Sequence, residues 1–208
     1  YVQEGGNVVH AGDIRFVDIN GDGLIDDKDY IPLGYSNLPR INYNMTLNME
    51  WRGVYLSALF VGTAQGSMRM DDFYVLNPFY MTNGAALQWH FDSRWTPEKA
   101  VSGEEVGFPR ASLSNYNTQN KLPNDLWIRS SKFIRLKNLE IGYWLPKRWL
   151  VKTGIGSVRI YLSSNNLATW GCELLPGYDP EQADQGGAAS GYLYPPTRSY
   201  NLGVNVSF

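Results

Sequence analysis

Between Ile41 and Arg52, apolar and polar residues alternate without exception. Ile41, Tyr43, Met45, Leu47, Met49 and Trp51 share one parity, and Asn42, Asn44, Thr46, Asn48, Glu50 and Arg52 share the other. A period of two belongs to a β-strand, because successive Cβ atoms point to opposite sides of the pleat. The run is about twice the usual strand length, and at ~3.3 Å per residue and a tilt near 45° it covers the ~25 Å apolar band of an outer membrane. Arg52-Gly53 predicts a tight hairpin into a second apolar run, Val54 to Val61. Strand character returns from Trp127 to Leu145, where Ile134 and Leu136 hold one parity and Leu139, Ile141, Tyr143 and Leu145 the other. One inserted residue near Lys137-Asn138, a β-bulge, accounts for the slip. Two further strands follow: Val158, Ile160 and Leu162 alternate with Arg159, Tyr161 and Ser163, and Tyr200, Leu202, Val204, Val206 and Phe208 alternate with Asn201, Gly203, Asn205 and Ser207.

The links between these strands alternate between short turns and long polar stretches rich in Gly, Pro, Asn and Ser, about 62–125 and 170–198. Transmembrane barrels show this asymmetry, with tight periplasmic turns and long extracellular loops. Trp51, Tyr143, Trp144, Trp149 and Phe208 all fall near the short-turn ends, where an aromatic girdle would sit. The fold expected is all-β: about five C-terminal strands of a large antiparallel transmembrane β-barrel with long extracellular loops. Five strands cannot close a wide barrel, so residues 1–208 are expected to be part of one barrel domain. The chain opens at Tyr1 with neither an initiator Met nor a signal segment, in keeping with a fragment. A secreted, calcium-stabilised β-sandwich that binds carbohydrate is the alternative, since a protein core and lipid both select apolar side chains.

Composition narrows the choice. Charged residues make up 18% of the 208, aromatics make up 14%, and the formal net charge is -2. A surface so poor in charge expects an apolar solvent or a partner, and the absence of Lys/Arg runs removes the footprint of nucleic-acid binding. No stretch approaches the roughly 18–20 apolar residues of a membrane-spanning helix, so a bilayer would have to be crossed by strands. The single cysteine, Cys172, excludes a disulfide framework and multi-cysteine metal sites.

One stretch carries chemistry. Residues 18–29 read DINGDGLIDDKD, matching the calcium-loop pattern D-x-N-x-D-G. Asp18, Asn20 and Asp22 take positions one, three and five, Gly23 the sharp turn, the Leu24 carbonyl position seven, Asp26 position nine and Asp29 position twelve. Ca²⁺ takes six to eight hard oxygen donors, and alternate residues of a tightly wound loop can all point inward to supply them. Asp replaces the usual Glu at position twelve, so one oxygen rather than two is expected there. The flanks do not form an EF-hand, because Asp13–Val17 reads as extended and Pro32 follows closely. The ion's role is expected to be structural; an Asx/Gly-rich turn holding no metal is the plainer reading.

No catalytic site is expected. His10 and His90 are the only histidines and neither sits in a nucleophile motif. Asp71-Asp72 and Glu104-Glu105 lie side by side in loops, as solvated charge does. Trp170, Tyr178, Tyr192 and Tyr194 either stack on sugar rings or a partner, or pack their own loop.

The stretches GDIRFVDINGDGLIDDKDYIPLG, NYNMTLNMEWRGVYLSALFVG, FIRLKNLEIGYWLP, VRIYLSSNNLATW, GYDPE and YPPTRSYNLGVNVSF, in this order, resemble the C-terminal region of SusC/RagA-family TonB-dependent outer-membrane transporters of Bacteroidetes. The resemblance implies a 22-stranded barrel of which these are the last five strands, and an absent N-terminal part holding a plug domain and the segment that contacts TonB. It implies a SusD-like surface lipoprotein over the extracellular loops, outer-membrane lipid around the barrel, and uptake of oligosaccharides or peptides. It places the Asp18–Asp29 loop on the extracellular side and makes Phe208 the signal read by the barrel-assembly machinery.

Overall fold

The computed structural model describes residues 2–3, 9–70, 86–112, 120, 122–182, 194 and 196–208. Its long strands are β1 (Ile41–Trp51), β2 (Val54–Ala64), β3 (Phe133–Trp144), β4 (Ser157–Trp170) and β5 (Ser199–Ser207). They form one antiparallel sheet in the order β5-β4-β3-β2-β1.

Register turns the alternation of each strand into two chemically distinct faces. Met49, Leu56, Ile141, Leu162 and Leu202 stand opposite one another in one row across all five strands, and the adjacent row reads Asn48, Ser57, Glu140, Ser163 and Asn201. The apolar rows have no covering layer among the described residues: Met49 is 54% exposed, Leu162 49% and Leu202 78%. A β-sandwich would bury this face against a second sheet about 10 Å away. Here it is left bare.

The β1–β2 hairpin closes through Arg52 (φ 51) and Gly53 (φ 88), the two consecutive left-handed residues of a type I′ turn. The bulge falls where the parity slip predicts it, since Leu59 pairs with Asn138 and Phe60 with Leu136, leaving Lys137 as the extra residue. Several boundaries differ from the expected ones. β2 continues past Val61 to Ala64, and the strand expected from Trp127 to Leu145 divides into Ile128–Ser130 and Phe133–Trp144. Trp144 pairs with Arg159 in a polar-face row, off the apolar face where a girdle is expected; its neighbour Tyr143 is on that face, opposite Val54 and Ile160. The alternation of Leu139, Ile141, Tyr143 and Leu145 already puts Trp144 on the opposite parity.

The first long connection is more ordered than its Gly- and Pro-rich composition predicts. It holds helices α1 (Gln88–Ser93) and α2 (Pro97–Ser102) and the strand Ser67–Arg69, which pairs with Ile128–Ser130. Thr96 caps α2 through the Lys99 N–H, Pro97 opens it, and Gly103 (φ 71) closes it. These are strong local start and stop signals, too short to show as an amphipathic period. Met68, Met70, Phe108 and Trp127 form a small buried core, with Ile14, Trp89, Leu174 and Tyr178 packed against it. The segment before β1 and both long connections therefore meet at one end of the sheet, with the two short turns at the other.

On the polar face the Tyr55 ring lies over Gly142 and the Tyr161 ring over Gly203, filling the space that side chains at these glycines would occupy. A Cβ at Gly142 would stand 2.5 Å from the Tyr55 ring, whose hydroxyl is fixed by a 2.6 Å bond donated to Glu140. Gly142→Ala is therefore expected to cost about 1–3 kcal/mol by overpacking, measurable as a lower unfolding midpoint. A larger loss for Gly107→Ala, where a built Cβ would meet nothing closer than the Ser93 side chain at 3.4 Å, would contradict this account.

Candidate functional site

The polar sheet face and the cap of loops at its long-connection end carry most of the organised polar chemistry. Arg135 of β3 points to the polar side, and its side chain is only 4% exposed. Its guanidinium donates to Asp179 Oδ2 at 2.6 Å, Glu181 Oε2 at 2.5 Å and Thr169 Oγ1 at 2.8 Å. Lys137, on the same strand, donates to Glu181 at 2.7 Å. Two cations of β3 thus hold the opening turns of the β4–β5 connection against the polar face. The residues FIRLK and GYDPE both stand out in the sequence, but nothing in their spacing joins them; opposite charge in two separated motifs is the one signal that could have.

A second anchor fixes the segment before β1. The fully buried carboxylate of Asp13 accepts from Arg110 Nε at 2.8 Å, the His10 amide at 2.9 Å and Asn120 Nδ2 at 3.1 Å. Burial alone would raise its pKa; these donors outweigh that and hold the carboxyl below the usual carboxylate range.

The acidic loop is wound by its own side chains. Asp18 accepts from the Gly21 and Gly23 amides at 2.7 and 2.8 Å, Asn20 from Asp22, and Asp22 from Leu24. Asp26 caps a 3₁₀ turn, Asp27–Asp29, through the Lys28 amide. Asp29 closes the loop, its Oδ2 taking the Asp26 amide at 2.9 Å and its Oδ1 the Ile19 amide at 2.8 Å. Of these donors the Asp26 amide does most to hold the Asp29 carboxyl below its ordinary pKa. The Lys28 ammonium stands 3.3 Å from Asp26 and 3.9 Å from Asp22. Gly21 (φ 77) and Gly23 (φ 85) supply the left-handed turns. Leu24 and Ile25 pair in parallel with Val2 and Gln3.

The donor types suit a hard cation, but among the described residues no three His, Cys, Asp or Glu side chains converge to hold a metal. In this arrangement the carboxylates face backbone amides and Lys28. Beside the loop lies a cleft of about 580 Å³ whose apolar wall includes Phe16, Ile25, Tyr30 and Ile31, with Asp26, Asp29 and Asp125 on its lining.

The other residues singled out in the sequence do not come together. His90 is buried in the loop core, stacked on Trp89 at 3.5 Å, with Nδ1 accepting the Leu87 amide. The imidazole of His10 lies 3.6 Å from Asp13. Glu104 and Glu105 are exposed, Glu104 pairing with Lys99 at 3.5 Å. Asp71-Asp72 and Tyr192 lie outside the described residues. Tyr178 packs against the loop core, Trp170 ends β4 in an apolar row opposite Ile134, and Tyr194 is 79% exposed.

No family model matches the chain. TonB-dependent receptor P26 of Formosa agariphila is 31% identical over 95% of the chain, and TonB-dependent receptor P3 of the same organism is 25% identical over 93%. The RagAB peptide importer in its open-open state superposes with a TM-score of 0.56 and 25% identity over 84% of the chain. Along most of its length the chain is therefore similar to one stretch of TonB-dependent receptors and of the RagAB importer. It spans about a fifth of the length of these relatives, 20% of P26 and 18% of the importer chain. In a receptor of this type an open five-stranded sheet with one bare apolar face is expected, because the neighbouring strands and the lipid are supplied by the rest of the assembly.

Proposed function

We propose that this chain is a wall segment of a bacterial outer-membrane importer that takes up oligosaccharides or peptides with energy delivered through TonB. The observation that carries the reading is the bare apolar face backing directly onto a polar one. Lipid against the first and an aqueous or plugged lumen behind the second is the arrangement of a transmembrane barrel. Among the described residues no helix is long and apolar enough to cross a membrane, which leaves strands as the spanning element. The relatives named as receptors and as a peptide importer support transport rather than catalysis. The full-length receptor should partition with outer membranes and need detergent for extraction; recovery as a buffer-soluble monomer would overturn the reading.

The loop cap and its cleft lie at the long-connection end, which is extracellular in this reading. That is where a SusD-like lipoprotein would close over the barrel, while TonB would engage the part of the receptor that precedes this segment. Phe208, at 95% exposure after β5, would serve as the assembly signal.

Calcium belongs to the same proposal. Asp18, Asn20, Asp22, Asp26, Asp29 and the Leu24 carbonyl would supply the oxygens and Lys28 would give way. An ion there would replace the ammonium as the counter-charge that holds these carboxylates together. Thermal unfolding of the full-length receptor is expected to shift down on chelation and to recover with Ca²⁺, and Asp22→Ala should abolish the difference. Identical melting curves with and without saturating Ca²⁺ would remove calcium from the account.

A further inference from the structure

The cations of the β3–β4 turn stand apart from the ion-paired cations of the sheet and its loops. Towards the long-connection end Lys28, Lys99, Arg110, Lys132, Arg135 and Lys137 pair with carboxylates, and beside the short turns Arg159 pairs with Glu140 on the polar face. At the short-turn end, Lys147, Arg148 and Lys152 in the β3–β4 turn form no ion pair among the described residues, and residues 145–158 include no acid. Helix α3 (Lys147–Leu150) buries Leu150 and leaves both basic side chains exposed. Trp149 is 59% exposed and Val151 79%. Arg52 lies in the neighbouring turn, its guanidinium 4.8 Å above the Trp51 ring, and that turn is tied to β3 by the Trp144 amide donating to Gly53. Glu50, at the same end of β1, is in a polar-face row.

We propose that the β3–β4 turn, with Arg52 beside it, binds the headgroups of anionic glycerophospholipids at the membrane boundary. The inference rests on the outer-membrane reading above. The apolar row Val54, Tyr143, Ile160 and Val204 runs up to this end, so the cations stand where acyl chains give way to phosphate. Lys and Arg donate charge-assisted hydrogen bonds to phosphodiester oxygens, and a neighbouring anionic headgroup supplies the counter-charge that the protein omits. Exposed Trp149 and Trp51 are the amphipathic rings that settle at headgroup level. Each cation near an anionic surface is worth roughly a fivefold change in binding. A zwitterionic headgroup offers the same phosphate but cancels the net attraction.

The test uses the full-length receptor, delipidated in detergent and titrated with phosphatidylglycerol or phosphatidylcholine, with bound lipid counted by native mass spectrometry. The native receptor should retain phosphatidylglycerol at least tenfold more strongly than phosphatidylcholine. K147Q/R148Q/K152Q should lose that preference while still inserting into vesicles, and K147E/R148E/K152E should push it below unity. Trp149→Ala should weaken both lipids equally. Equal retention of the two lipids by the native receptor, an undiminished preference in the glutamine variant, or full competition by inorganic phosphate would each overturn the site. Insertion into vesicles is scored separately, so a receptor that inserts without headgroup preference sinks this inference and leaves the membrane reading intact.

Discussion

Leu47→Arg is expected to destabilise the membrane-embedded receptor by about 2–4 kcal/mol, whereas Thr46→Arg, one residue away, should change stability far less. Leu47 stands mid-strand on the bare face, 41% exposed and opposite Ala58; Thr46 is on the other side, opposite Leu59. A cation at mid-bilayer on a lipid-facing barrel position costs that much, while one directed into a polar lumen stays hydrated. Urea titration of the receptor folded into phospholipid vesicles reads the difference. Equal losses from the two substitutions would mean that the faces do not see different solvents, and the functional reading would fail with them.

Arg135→Met should have a comparable effect through a different cause. Asp179, its side chain 9% exposed, bonds to Arg135 through both carboxylate oxygens. Glu181 keeps Lys137 when Arg135 is lost. Breaking a buried ion pair from one side costs about 3–5 kcal/mol, because the remaining charge is stranded in a poorly solvated place. The methionine keeps much of the apolar stem, so the loss is attributable to charge. Since Asp179 is on the β4–β5 connection, the first response should be local: hydrogen exchange of residues 171–182 should accelerate before the sheet unfolds. Arg135→Met/Asp179→Asn should recover part of the loss. Unchanged protection of this segment would show that the clasp does not hold it.

The second experiment concerns the side that loops and substrate would share. Arg135 fixes the start of the second long connection to the wall, and Asp13 ties the segment before β1 to the first long connection through Arg110 and Asn120. The rim of the proposed importer is therefore pinned at two places by buried carboxylates. Binding and release would be expected from the parts of the loops between these anchors.

How much of this was legible in the residues follows from the range of the forces involved. Strand identity, the Arg52-Gly53 turn, the bulge at Lys137 and the two-faced character of the sheet are local. Each depends on the pleat's period of two or on a backbone angle that few residues adopt. The winding of the acidic loop is equally local, because Asx side chains bond to amides two to five residues away and one reach from Asp29 completes it. What the tertiary structure alone decided is that no second layer among the described residues covers the apolar face, since alternation reads the same for lipid and for a buried core. It also decided the loop core around Trp127 and the Arg135 and Asp13 anchors. The side chains joined at the two anchors lie 34 to 107 positions apart, and Coulomb attraction or packing between such partners leaves no periodic mark in the chain that carries them.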